Sequence, residues 1–175
     1  MNNKPLEIEY KFLIEMPDLK VLSAQPQFRE KKLCQMYLEL PVGMSEFGTR
    51  CRIRKTEENG KVSFCKTFKK DVTALTRIEV EEEITEAEYT SLSQFLRKGT
   101  AAVEKSRFTF FYEGHTCEID VFPFWKTQAF LEIEVESETV TPSIPDFITV
   151  IKDVSKDKRY RNSALAKGIF DGTLT

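Results

Sequence analysis

The run Glu7-Ile8-Glu9-Tyr10-Lys11-Phe12 alternates charged and apolar side chains one by one. Strict alternation is the signature of a β-strand, because successive side chains point to opposite faces. Two carboxylates and an ammonium therefore share one face. Ile8, Tyr10, Phe12 and Ile14 share the other. Such a strand has an ionic side and an oily side, and the fold must find a place for both.

The same rhythm recurs along the 175 residues. After a first strand over Leu6–Ile14 comes a partly helical stretch around Pro17–Ser23, then a strand over Gln35–Leu40 stopped by Pro41. Gly48–Lys55 and Val62–Lys69 form an expected hairpin about Asn59-Gly60, a strong turn signal. Thr76–Ile84 follows. Thr85 and Glu88 have the spacing of a helix capping box, with Tyr89, Leu92, Phe95 and Leu96 as the helix's apolar stripe. Ala102–Tyr112 and Cys117–Phe122 make a second hairpin at Glu113-Gly114-His115. Phe130–Glu136 is the last long strand, and a short helix over Arg161–Lys167 is expected to end at Gly168. The expected fold is mainly β: an eight-stranded antiparallel closed β-barrel, a tunnel with a few peripheral helices, since closure removes exposed edges. No linker or repeat divides it, so 1–175 reads as one domain.

Arg50, Arg52 and Arg54 lie in phase on their strand, and so do Arg77, Glu79, Glu81 and Glu83. Lys105 pairs in phase with Arg107, Glu118 with Asp120, and Glu132 with Glu134 and Glu136. Any one such row by itself reads as a solvated face. These rows, however, are nearly pure charge, without the Ser, Thr and Gln usual on wet faces, and they cluster by sign. In a closed sheet one face of every strand lines the lumen. A charged lumen persists only if its charges satisfy one another and a ligand. Guanidinium forks match phosphate oxygens, and carboxylates at i and i+2 suit a hard cation. The rows together suit a metal–polyphosphate complex.

Bulk numbers narrow the alternatives. The net charge of −2 argues against a general nucleic-acid or membrane-surface binder, which is usually basic. Cys34, Cys51, Cys65 and Cys117 form no Cys-x-x-Cys, and His115 is the lone histidine, so a structural zinc site is not expected. No signal core and no run of about 20 apolar residues is present, which reads as cytoplasmic.

With these motifs laid out, the chain resembles the CYTH superfamily, the triphosphate tunnel metalloenzymes. Glu-x-Glu-x-Lys stands at Glu7, Glu9 and Lys11, Arg-x-Arg at Arg52 and Arg54, and Arg-x-Glu-x-Glu at Arg77, Glu79 and Glu81. Glu104-Lys105-Ser106-Arg107, Glu118-Ile119-Asp120 and Glu132-Ile133-Glu134 follow in the family's order, and Asp157-Lys158-Arg159-Tyr160-Arg161-Asn162 closes the series. Lys66 matches a basic position in the family's fourth strand. The resemblance implies an eight-stranded tunnel, dependence on Mg²⁺ or Mn²⁺, and a small-molecule triphosphate substrate. Expected partners are that substrate and, at most, a second copy in a homodimer, with no membrane and no general nucleic-acid binding.

The resemblance then assigns roles. Glu7, Glu9, Glu132 and Glu134 are expected to hold the metal, with Asp120 as a further ligand. Lys11, Arg52, Arg54, Lys66, Lys105 and Arg107 are expected to grip the phosphates. Lys11 and Tyr37 are the expected catalytic residues, Lys11 touching both metal and phosphate groups and Tyr37 hydrogen-bonding the attacking water or a phosphate oxygen. Lys158 is expected to close one end of the tunnel. Phe124 and Trp125 read as rim or core aromatics. Hydrolysis of inorganic triphosphate is the leading expectation. A class IV-type adenylyl cyclase, a thiamine or nucleoside triphosphatase, and a non-catalytic polyphosphate binder remain alternatives. Gln35-Met36-Tyr37-Leu38 looks more like the short bacterial hydrolases than the cyclases, which carry Asp and an aromatic pair there.

Overall fold

The computed structural model describes residues 6–174. Nine strands appear: β1 Leu6–Glu15, β2 Arg29–Glu39, β3 Arg50–Glu58, β4 Lys61–Asp71, β5 Thr76–Ile84, β6 Val103–Tyr112, β7 His115–Val121, β8 Gln128–Glu134 and β9 Val150–Asp153. Among the described residues three α-helices, α1 Leu19–Ser23, α2 Glu86–Ser93 and α3 Asn162–Phe170, and one 3-10 turn at Lys158–Tyr160 accompany them. The sheet runs β5-β4-β3-β2-β6-β7-β8-β1-β9, and β5 also pairs with β1. Eight strands therefore form the expected antiparallel ring. The ninth lies outside it against the C-terminal half of β1, with Phe12 opposite Asp153.

Local chemistry sets the corners. Asn59 and Gly60 take φ of 51° and 73° between β3 and β4, the left-handed pair that a two-residue hairpin demands. Thr85 and Glu88 close a capping box at α2: Thr85 Oγ1 accepts from the Glu88 amide, and the Glu88 carboxylate accepts from the Thr85 amide. The C-terminal helix differs from expectation. It runs through Gly168 to Phe170 rather than ending there. A Cβ on Gly168 would come within 2.8 Å of Leu174 Cδ1, so this glycine admits the chain that folds back over the helix.

Ring closure is narrow. β1 meets β5 at three residue pairs, Leu6 with Ile78, Glu7 with Arg77 and Ile8 with Thr76. Beside this seam, Thr73 and Thr76 both donate to the Glu138 carboxylate, and Tyr10 donates to the Glu138 carbonyl at 3.2 Å.

The apolar core lies mostly outside the ring. Phe12, Ile14, Phe110, Ile119, Leu131 and Ile133 point outward beneath Leu22 of α1 and Phe147. Leu38, Cys51, Ile53 and Phe68 point outward beneath Tyr89 and Leu92 of α2. A third cluster is internal. The inward rows turn apolar at one end, Lys11 giving way to Leu13, Glu132 to Phe130, Asp120 to Phe122 and Lys105 to Val103. These four residues pack with Phe124, Trp125, Leu165 and Ala166 as an oily floor. Phe124 and Trp125 are thus core aromatics. All four cysteines are free, and three are buried. Among the described residues no helix is long and apolar enough to cross a membrane.

Ile53 is fully buried between Arg52 and Arg54, facing away from them. Ile53→Ala should cost about 2–5 kcal/mol by leaving a cavity under α2. Urea unfolding followed by circular dichroism measures this. A loss under about 1 kcal/mol would mean that the outer layer does not hold β3 in place.

Candidate active site

Inside the ring lies a cavity of about 710 Å³. Glu7, Glu9 and Lys11 of β1 line it, as do Glu132 and Glu134 of β8 and Glu118 of β7. Across from them stand Arg52 and Arg54 of β3, Thr67 and Lys69 of β4, and Glu79 and Glu81 of β5. Tyr37 of β2 and Arg107 of β6 complete the wall. Period-two alternation carries each of these side chains inward, since the odd-numbered face of β1 and its counterparts on the other strands cannot enter the oily outer layers.

The floor of the cavity is an ionic network. Lys11 Nζ pairs with Glu132 Oε1 at 2.8 Å and sits 4.0 Å over the Phe130 ring. Arg107 Nη2 reaches Glu132 Oε2 at 2.6 Å, and its Nε reaches Asp120 Oδ1 at 2.7 Å. Arg107 also pairs with Glu118, and Lys105 pairs with Asp120. Burial alone would raise the Glu132 carboxyl, but Lys11 and Arg107 outweigh it and hold the group well below the usual carboxylate range. Burial, then the neighbouring Arg107, pushes the Lys105 ammonium down to about 8 despite Asp120.

Toward the rim the acids are less satisfied. Glu9 and Glu134 stand directly opposite each other on β1 and β8. Like charges facing across a strand pair are destabilising. Burial, followed by the charges of Glu118 and Glu7, pushes the Glu134 carboxyl up. Burial likewise pushes Glu118 up, with Arg107 opposing and Glu132 adding to the shift. Glu7 meets Lys69 Nζ at 3.4 Å, and Lys69 also pairs with Glu79. These oxygens are the hard donors that Mg²⁺ or Mn²⁺ takes, and one cation would relieve the Glu9–Glu134 opposition. Among the described residues no three carboxylates are drawn together as an ion cage. Glu132 already gives one oxygen to Lys11 and the other to Arg107, each with a lone pair to spare.

The arginine wall is only partly paired. Arg52 Nη2 donates to Thr67 Oγ1 at 3.1 Å, and Thr67 donates to Glu81 at 3.0 Å. Arg54 Nη2 donates to Glu81 Oε2 at 3.1 Å. The Nε of both arginines is buried with no hydrogen-bond partner. Burial, then the adjacent Arg54, lowers the Arg52 pKa. Both guanidiniums line the cavity side by side, and their planar forks have the geometry that matches phosphate oxygens.

Several expected residues lie elsewhere. Lys66 is on the outer face, opposite Ile53, with its Nζ 2.8 Å from Glu82. Its neighbours at i−2 and i+2, Phe64 and Phe68, already gave the apolar face in sequence; Thr67 and Lys69 hold the inward one. Asp120, expected as a further metal ligand, is fully buried and pairs with Arg107 and Lys105, and it is not among the residues that line the cavity. Lys105 is buried, pairs with Asp120 and does not line the cavity. Lys158 is exposed and does not line the bore; Arg161, three residues on, does, bonded to Asp71 at 2.8 Å. Arg97 was not anticipated, because it comes from the loop after α2, where no strand rhythm marks it. Tyr37 lines the cavity, and its hydroxyl accepts from Gln35 Nε2 at 3.1 Å.

Comparison with known proteins agrees with this geometry. Residues 5–159 match the CYTH domain. An inorganic triphosphatase of Acetivibrio thermocellus is 30% identical over 163 residues, spanning 92% of this chain and 93% of that protein. The crystal structure of the inorganic triphosphatase NE1496 superposes with a TM-score of 0.53 at 26% identity, covering 92% of this chain and 94% of that one. The PH1819 protein from Pyrococcus horikoshii OT3 shares the fold, with a TM-score of 0.57 at 24% identity over 76% of this chain and 80% of that one. An ionic bore walled by ordered Glu-x-Glu-x-Lys and Arg-x-Arg strands, matched over nearly its whole length, places this chain in the CYTH family.

Proposed function

We propose that this chain is a divalent-metal-dependent triphosphatase acting on inorganic triphosphate, its residues 1–175 working as one unit in the cytoplasm. The observation that carries the reading is the meeting, within one cavity, of the carboxylates Glu7, Glu9, Glu132 and Glu134 with the adjacent guanidiniums of Arg52 and Arg54. The likeness to two inorganic triphosphatases supports it. The free thiols suit a reducing compartment.

Glu7, Glu9 and Glu134, with Glu132, would hold Mg²⁺ or Mn²⁺, which when bound acidifies water and neutralises phosphate charge. Arg52 and Arg54 bind phosphate oxygens through their guanidinium groups and keep the chain in line. Arg107 does the same from the floor, anchored by Asp120 and Glu118. Lys11, poised between Glu132 and the bore, neutralises charge on the phosphoryl group nearest the acids. The Tyr37 hydroxyl, fixed by Gln35, orients the attacking water or a phosphate oxygen. Such a transfer depends chiefly on positioning and charge neutralisation, which fixed dipoles in a partly dry cavity supply.

Release of phosphate from tripolyphosphate, thiamine triphosphate, ATP and pyrophosphate with each metal tests the reading, and tripolyphosphate should lead. Glu9→Ala should abolish metal-dependent turnover while the circular dichroism spectrum stays native; full residual activity would refute the metal assignment. Arg52→Ala should lower kcat/KM by about 10²–10³, the scale of one lost charge-stabilising donor. An unchanged value would remove Arg52 from the phosphate site.

A pH signature follows from Glu134, whose folded carboxyl is raised. Between the ordinary and the raised pKa the folded chain binds more protons than the unfolded one, so this group's contribution to stability is lost as pH rises through the raised value. Glu134→Gln should therefore raise Tm of the metal-free protein at pH 7, and the gain should vanish at pH 4. Thermal melts at both pH values check this. A Tm that falls equally at both would show that the carboxylate is not repelled there.

A further inference from the structure

Among the described residues two aromatic rings line the bore, Tyr37 and Tyr160, and a cation lies over each. The Arg97 guanidinium carbon is 5.7 Å from the Tyr37 ring centroid. Lys152 Nζ is 5.5 Å from the Tyr160 centroid. Both separations fall within the cation–π range. Arg97 is held there from its backbone. Its amide donates to the Tyr37 carbonyl at 2.9 Å, and its carbonyl accepts from Thr100 Oγ1 at 2.7 Å. Leu96 forms a β-bridge to Leu38, so the loop after α2 is fastened to the stretch of β2 that carries Tyr37.

A triphosphate bearing a base or other aromatic ring gains affinity by laying that ring on an aromatic face. Here the Tyr37 ring already carries the Arg97 guanidinium, which lines the same cavity. A bare phosphate chain loses nothing by this and meets an additional positive charge. We propose that Arg97 is a specificity-determining residue, covering Tyr37 against ring-bearing leaving groups and so favouring inorganic triphosphate over nucleoside triphosphates. The inference rests on the triphosphatase reading and names what limits its substrate.

The test compares wild type, Arg97→Ala and, as a charge control on the exposed neighbour, Lys98→Ala. Calorimetry in EDTA gives the affinities for ATP and tripolyphosphate, and phosphate release with Mg²⁺ gives kcat/KM for each. In Arg97→Ala the ATP-to-tripolyphosphate ratio should rise at least about fivefold in both measurements, the scale of one stacking contact. In Lys98→Ala it should stay put. A ratio in Arg97→Ala that is unchanged, or that moves toward tripolyphosphate, overturns the proposal. Should Arg97→Ala fail to fold by circular dichroism, Arg97→Gln is read by the same ratio. Wild type that releases phosphate from no triphosphate would sink the triphosphatase reading, while the binding ratio would still decide the role of Arg97.

Discussion

Glu132 holds Lys11 with one carboxylate oxygen and Arg107 with the other, inside the ring and away from bulk water. Arg107 passes the contact on to Asp120 and Glu118, and Asp120 passes it to Lys105. Four strands, β1, β6, β7 and β8, are joined through their inward faces by this chain of charges. Desolvating six ionised groups is costly, and their mutual attraction offsets that cost only when every partner is present. The network is therefore a condition for the fold more than a source of its stability. Removing one member would strand a buried charge against its neighbours.

That condition turns the usual barrel inside out. Because the bore holds charge, the residues that drive folding by burial must find cover outside it. Leu22 and Phe147 cover one side and α2 the other, while the oily floor of Phe122, Phe130 and Trp125 closes one end. The ionic interior is stiffened from behind by close packing. Arg52 and Arg54 are aimed inward because Cys51 and Ile53 are locked into the outer layer. The chemistry available to the bore is thus set by packing that never touches it.

The network also grades the cavity. Near the floor every carboxylate has a cation, and Glu132 stays ionised far below its ordinary range. Glu134 is pushed the other way by burial and then by Glu118 and Glu7, and Glu118 by burial against the pull of Arg107. Arg52 and Arg54 line the same cavity.

Alternation along each strand was enough to predict the ring, its hairpins at Asn59-Gly60 and Glu113-Gly114, and the inward placing of Glu7, Glu9, Lys11, Arg52, Arg54, Glu132 and Glu134. Period two is a local property, and a closed sheet leaves a charged face only one place to go. The same rule read strictly would have sent Lys66 outward with Phe64 and Phe68. What alternation does not contain is distance across the bore. Only the folded ring showed that Asp120 and Lys105 consume each other, because strands distant in sequence must meet before their charges can pair. Only the folded ring brought Arg97 and Arg161 to the cavity, since loops carry no rhythm and their reach depends on what fastens them: Leu96 to Leu38, Arg161 to Asp71. The sequence by itself determined which faces are ionic; tertiary contact decided which ions are spent on structure and which are left for a ligand.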